Sequence, residues 1–248
     1  MDRISPTQRP AGRPIGYQSW SNLSFLHWRV PVEVLRPLIP QPLEIDTHDG
    51  VAWLGLVPFY MSGVRPAWAP AVPGISNFCE TNLRTYVHLD GANPGVWFFS
   101  LDAAKRLAVW IARTRWCLNY YYARMSLERT RAGFRYHSQR SDGSAEVDVD
   151  VDLGTTDLDL EPGCHTAERE SFEFFLAERY FLYSTDRERR LYRGQVHHRP
   201  YPLRPAQLTQ CRQSLTQASG IDLSGSADHV LFSPGVNVDI FPLRPVSS

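Results

Sequence analysis

Three polar residues alternate along one stretch of the chain: Glu80, Asn82 and Arg84. In an extended strand alternate residues share a face, so this face would join a carboxylate, an amide and a guanidinium. A guanidinium fork suits a substrate carboxylate. A glutamate can move protons once burial raises its pKa. Further along, Arg113, Tyr120 and Tyr121 would add an anion clamp and phenolic donors. Each set has a plainer reading. The first could be a solvated face or a buried structural ion pair, and the second ordinary aromatic packing.

Other candidate chemistry weighs less. Lys105 is the only lysine. Imine formation needs an amine that can lose its proton, and arginine does not. Apart from the α-amino group, Lys105 is therefore the one Schiff-base candidate. The run Glu146, Asp148, Asp150 and Asp152 offers the oxygens that hard cations prefer, but the strand pairing set out below gives two of them basic partners. His197 and His198 are neighbours on a strand and point to opposite faces, so they cannot share one ion. The sequence has no HExxH, no zinc-spaced Cys/His cluster, no GxSxG, no P-loop and no GxGxxG. No metal and no cofactor are expected. Cys79 reads as an inert buried thiol rather than a nucleophile.

Composition narrows the class further. The 248 residues are 43% apolar and carry a formal net charge of zero. Nothing in that balance draws nucleic acid or an anionic membrane. No apolar run approaches the ~20 residues of a membrane span. The cysteines Cys79, Cys117, Cys164 and Cys211 are scattered, and Arg3, Arg9 and Arg13 lie where an export signal would need an apolar stretch. The expectation is a cytoplasmic protein with a small-molecule ligand, no nucleic acid and no membrane partner. Homo-oligomerisation is left open.

The elements that must hold these residues read as follows. Residues 1–16, with Pro6, Pro10 and Pro14, form a flexible arm, and residues 17–248 form a single domain. Pro31 to Pro40 suits a short helix. Val51–Met61, Phe78–Leu89, Val96–Leu101 and Tyr120–Leu127 are strands. Ala104, Leu107, Ala108 and Ile111 make an apolar stripe on a helix over about Ala103 to Arg113, with Lys105 off the stripe. Trp68 sits in a loop, packed or lid-like. Asp142-Gly143 predicts a hairpin pairing Arg135 with Asp150, His137 with Asp148, Phe134 with Val151 and Tyr136 with Val149. Ser171–Arg179 is a short helix, Tyr180–Ser184 and Leu191–His198 are strands, and Pro205–Ser219 is ambiguous. Val230–Phe232 and Val236–Phe241 close the chain as short strands. Strands dominate, which argues against a βαβ stack.

Several segments in order resemble the YqjF-like family, also known as domain of unknown function 2071. They include His27-Trp28, LRPLIP, HDGVAWLGLVPFYM at 48–61, FCETNLRTYV at 78–87, GVWFFSLDA at 95–103, AERYFLYS at 177–184 and FSPGVNVDIFPL. That family is grouped by fold with acetoacetate decarboxylase. The resemblance implies an α+β fold, an antiparallel cone-like β barrel with a few peripheral helices and a pocket in its middle. Glu80 is similar to the decarboxylase's active-site glutamate, and Arg113 to an arginine at the helix end. Placing Ala123 against the alanine that follows the decarboxylase's lysine pair puts the lysine positions on Tyr120 and Tyr121. Neither can form an imine, so the fold carries over and the Schiff-base reaction does not.

The sequence reading is thus a small-molecule pocket with non-covalent acid/base chemistry on a small organic acid or carbonyl compound. Glu80 and Tyr120 are the catalytic candidates; Arg84, Arg113, Asn82 and Tyr121 are the substrate-binding ones. The alternatives are a binding protein or sensor without turnover, and a lysine enzyme using Lys105.

Overall fold

The structure is a computed structural model and describes residues 1–154, 163–223 and 225–246. In chain order the elements are β1 (Gly16–Val30), α1 (Val32–Leu35), β2 (Leu43–Ile45), β3 (Ala52–Pro66), β4 (Phe78–Leu89), β5 (Ala92–Ala103) and α2 (Arg106–Arg115). Then come β6 (Tyr120–Arg129), β7 (Gly133–Arg140), β8 (Glu146–Asp152), β9 (His165–Thr166) and α3 (Phe172–Ala177). The chain ends with β10 (Phe181–Thr185), β11 (Leu191–His198), β12 (Pro202–Pro205), β13 (Gln207–Gln213), α4 (Leu215–Ala218), β14 (His229–Ile240) and β15 (Arg244–Pro245). No helix among the described residues is long and apolar enough to cross a membrane.

The main strands close on themselves. From β5 the pairings run through β10, β11, β14, β1, β3 and β4 and return to β5. Most neighbours are antiparallel, but β5 runs parallel to both β10 and β6. The sheet is therefore mixed, mostly antiparallel as expected with two parallel pairings added. The cause is local: α2 carries the chain back before β6 begins, and such a return sets two strands side by side in one direction.

The two largest of four hydrophobic clusters among the described residues follow from strand alternation. Leu23, Phe25, Val57, Phe59, Leu101 and Val238 pack together on the inner face of the ring. Beyond β5, the strands β6, β7, β8 and β13 form a layer over the outer face of β1, β3 and β4. There Leu26, Leu54, Leu56 and Leu83 meet Phe134, Tyr136, Val147 and Val149. Each such side chain contributes roughly 1.5–3 kcal/mol by leaving water. The β7–β8 pairing has the register read from the sequence, including Arg135 with Asp150 and Tyr136 with Val149. Two carboxylates of the acidic run have basic partners on that face, Asp150 with Arg135 and Asp148 with His137.

Several expectations need correction. Helix α2 does not bury the Leu107–Ile111 stripe: Leu107 is 47% and Ile111 42% exposed, and Val109 is its buried residue. The helix rests on β5 and β6 through Ala108, Val109, Ala112 and the following Trp116. Small alanines allow that close approach, while Leu107, Trp110 and Ile111 on the opposite side are exposed. Trp68 is 87% exposed, so it is not packed. The two closing strands are one, β14, running through Gly235. Gly235 has φ +140°, and a Cβ there would lie 2.1 Å from the Trp20 carbonyl oxygen. The ambiguous stretch resolves into β13 followed by α4. Residues 1–15 lie against the ring: Arg3 pairs with Asp46, Arg9 pairs with Asp239, and the Pro6 carbonyl accepts from Gln195.

Candidate functional site

Strand β4 supplies the inner wall. Its register across β3 and β5 stacks the interior in layers. One layer holds Phe59, Glu80 and Ala103; the next holds Val57, Asn82 and Leu101; a third holds Gly55, Arg84 and Phe98. His27 of β1 joins the third layer opposite Gly55. The missing side chain at Gly55 matters here. A Cβ would press 3.3 Å from the His27 ring and 3.4 Å from Cγ of Arg84.

Glu80 is buried, and its carboxylate accepts a hydrogen bond from the Tyr120 hydroxyl at 2.9 Å. Burial pushes the Glu80 pKa up to about 8; the Tyr120 bond works against that rise and the Asp102 charge adds to it. Asp102 belongs to the other face of the wall, where it forms a buried two-point pair with Arg140 at 2.8 Å for each bond. The Tyr120 phenol is held well above its usual pKa, by burial first and then by Glu80. Glu80 and Tyr120 thus form a buried pair that holds a proton at neutral pH.

Asn82 is buried with its Oδ1 unpartnered. Arg84 is buried and pairs with no carboxylate among the described residues. Its Nη2 donates to the Leu176 carbonyl at 3.1 Å, and its Nε has no partner. The guanidinium lies over the rings of Phe25 and Tyr86, at 5.6 and 5.8 Å. Helix α3 meets this layer through one carbonyl. Its Ser171 cap accepts from the Phe174 N–H, and its Leu176 carbonyl receives both Arg84 and the Tyr86 hydroxyl.

The remaining expected residues lie elsewhere. Arg113 donates through Nε to the Tyr120 carbonyl at 2.6 Å, so it holds the strand and not the interior. Tyr121 points to the face opposite Tyr120 and stacks between Arg113 and Arg140, the latter 3.7 Å from its ring centre. That side opens on a surface cleft of about 360 Å³. A second surface cleft, of about 520 Å³, lies under the N-terminal segment. Neither cleft is lined by Glu80, Asn82 or Arg84. Lys105 stands just ahead of α2, partly exposed. Cys79 is buried and its thiol pKa is pushed up to about 11 by burial. Among the described residues, no group of three or more His, Cys, Asp or Glu side chains could hold a metal ion.

Sequence reasoning passed over three interior residues. His198 stacks on Tyr180 at 4.4 Å and packs beside Tyr201 at 4.5 Å. His27 reaches the Tyr86 hydroxyl at 2.8 Å. Glu178 accepts from the Tyr180 hydroxyl and the Tyr201 N–H. The one available signal was that His197 and His198 must part to opposite faces, which sends one of them inward.

A closed ring of strands with a few short helices is a fold of acetoacetate decarboxylase type. Solved structures share it. Acetoacetate decarboxylase from Legionella pneumophila superposes with TM-score 0.63 at 11% identity, over 98% of this chain and 94% of that one. The enduracididine biosynthesis enzyme MppR, complexed with pyruvate, superposes with TM-score 0.65 at 14% identity, over 97% and 93%. At such identities the likeness concerns the fold alone. The chain itself belongs to the family DUF2071, described as an uncharacterized conserved protein, whose model matches residues 17–237. The uncharacterized protein YqjF of Bacillus subtilis (strain 168) is 38% identical over 245 residues, covering 95% of this chain and 94% of that protein.

Proposed function

We propose that the ring interior takes a small organic acid or carbonyl compound and performs non-covalent acid/base chemistry on it. The observation that carries this reading is the Glu80–Tyr120 pair: a buried carboxyl, hydrogen-bonded at 2.9 Å, with its pKa raised to about 8. A carboxyl in that state still holds its proton at neutral pH and can deliver it to a substrate oxygen or carbon. Tyr120 would donate to the same oxygen and stabilise charge there. Arg84, buried without a carboxylate partner among the described residues, would hold the substrate anion. Asn82 lies between them on the same face. Arg113 and Tyr121 would support β6 and Arg140 rather than touch the substrate. The pyruvate held by MppR gives a precedent for a small keto acid in this fold. The resemblance read from the sequence puts Tyr120 and Tyr121 at the decarboxylase's lysine positions, so no covalent intermediate is invoked.

The test is a thermal-shift screen of small carboxylic and carbonyl metabolites, followed by NMR of each hit with the protein. The expected result is a stabilising ligand that is converted. Conversion should fall more than tenfold in Glu80→Gln and decline as pH rises through about 8, because the proton donor is lost. Unchanged turnover in Glu80→Gln overturns the proton role. A ligand recovered intact points to binding alone, as in a sensor. Borohydride trapping of a ketone on Lys105 would replace the proposal with imine chemistry.

A further inference from the structure

Buried polar atoms left without partners each cost about 1–3 kcal/mol, so their positions and their donor or acceptor character describe what would complete them. Several such atoms lie in the ring, His27 Nδ1 and Ser233 Oγ among them, and three of them bear on the choice of ligand. Arg84 Nε is a donor, and Asn82 Oδ1 is an acceptor. The third is His198 Nε2. Its character follows from the other ring nitrogen. Nδ1 of His198 meets the Arg199 carbonyl at 2.7 Å. A carbonyl only accepts, so Nδ1 carries the hydrogen and Nε2 presents a bare lone pair. Burial drops the His198 pKa to about 4, so the ring stays neutral and Nε2 stays an acceptor. Stacking on Tyr180 and contact with Tyr201 fix the ring's orientation. Tyr201 packs edge-on to Phe25 at 5.3 Å, and Phe25 in turn lies under the Arg84 guanidinium. His198 and Arg84 therefore belong to one contiguous interior.

We infer that the ring selects a carboxylic acid that also carries a hydroxyl group, with the carboxylate toward Arg84 and the hydroxyl donating to His198 Nε2. A plain carboxylate or a ketone offers no hydrogen for a lone pair, and a site with a buried acceptor rejects ligands that cannot donate. Asn82 Oδ1 would take a second donor where the ligand has one. This assignment rests on the ring-interior reading above and adds His198 as its specificity residue.

The experiment uses matched pairs on the unaltered protein: lactate with propionate, and 3-hydroxybutyrate with butyrate and acetoacetate, each titrated by calorimetry. The hydroxy acid of at least one pair should bind at least tenfold tighter than its partners. In His198→Phe that preference should vanish while affinity for the plain acid stays within twofold. Equal affinities within each pair overturn the hydroxyl assignment but leave the carboxylate site standing. A tenfold preference that survives in His198→Phe overturns the role of His198. If none of the five acids binds, both the hydroxyl assignment and the ring-interior reading fail. The ligand pairs decide the hydroxyl question without any variant, so the result does not depend on His198→Phe folding.

Discussion

Glu80 sits in the ring as a carboxyl with a pKa of about 8, against 4.5 for the free group, and burial is the main cause. The sign of the linkage follows. Below pH 4.5 both the folded and unfolded chains hold the proton, and Glu80 costs nothing. As pH rises toward 8 the unfolded chain releases it and the folded chain does not, so stability falls, by at most about 1.4 kcal/mol per pH unit. Glutamine keeps an acceptor for Tyr120 and does not ionise. Glu80→Gln should therefore match the parent near pH 4 and exceed it in stability by pH 8, as read from urea midpoints at the two pH values. An equal pH dependence in both proteins would show that Glu80 ionises freely. Much of this residue-level picture was readable in advance. Alternation alone places Glu80, Asn82 and Arg84 on one face. It does not say how far a side chain turns along the strand, so the reach of Arg84 to the Leu176 carbonyl was not legible. Nor was the inward turn of His198, because neighbours on a strand part company without declaring which one faces in.

At the level of elements, β5 is the joint of the fold. One edge pairs with β4; the other is shared by β10 over Gly95–Trp97 and β6 over Leu101–Ala103. The Asp102–Arg140 pair ties this joint to β7, with both side chains buried. Removing one partner leaves an uncompensated buried charge. Asp102→Asn should cost about 3–5 kcal/mol in chemical denaturation; a loss below 1 kcal/mol would mean that water reaches Arg140. The β7–β8 register was legible because both faces matched at once, polar with polar and apolar with apolar. The orientation of α2 was not. Its sequence offers more than one apolar side, and the side that docks is set by alanines small enough for close contact, not by its largest apolar residues. The parallel course of β5 and β6 is likewise a property of the return path, which strand periodicity does not encode.

On the scale of the molecule, the first long strand and the last lie side by side: Gly16 pairs with Ile240, and His27 with His229. A chain ending before His229 lacks β14, leaving β1 and β11 without that shared neighbour. Such a truncation should show no cooperative unfolding transition by circular dichroism, where the full chain shows one; a sharp transition in the shortened chain would mean that the ring closes some other way. The same pairing governs how the protein is born. On a ribosome, β1 leaves the exit tunnel with one bonding edge bare and must wait for about two hundred further residues, up to His229–Ile240, before its mate arrives. Unpaired edges of this kind attract foreign strands, and pairing across so many residues is slow. Translation speed and chaperone supply should therefore weigh on the yield of this protein more heavily than on that of a helical bundle of equal length.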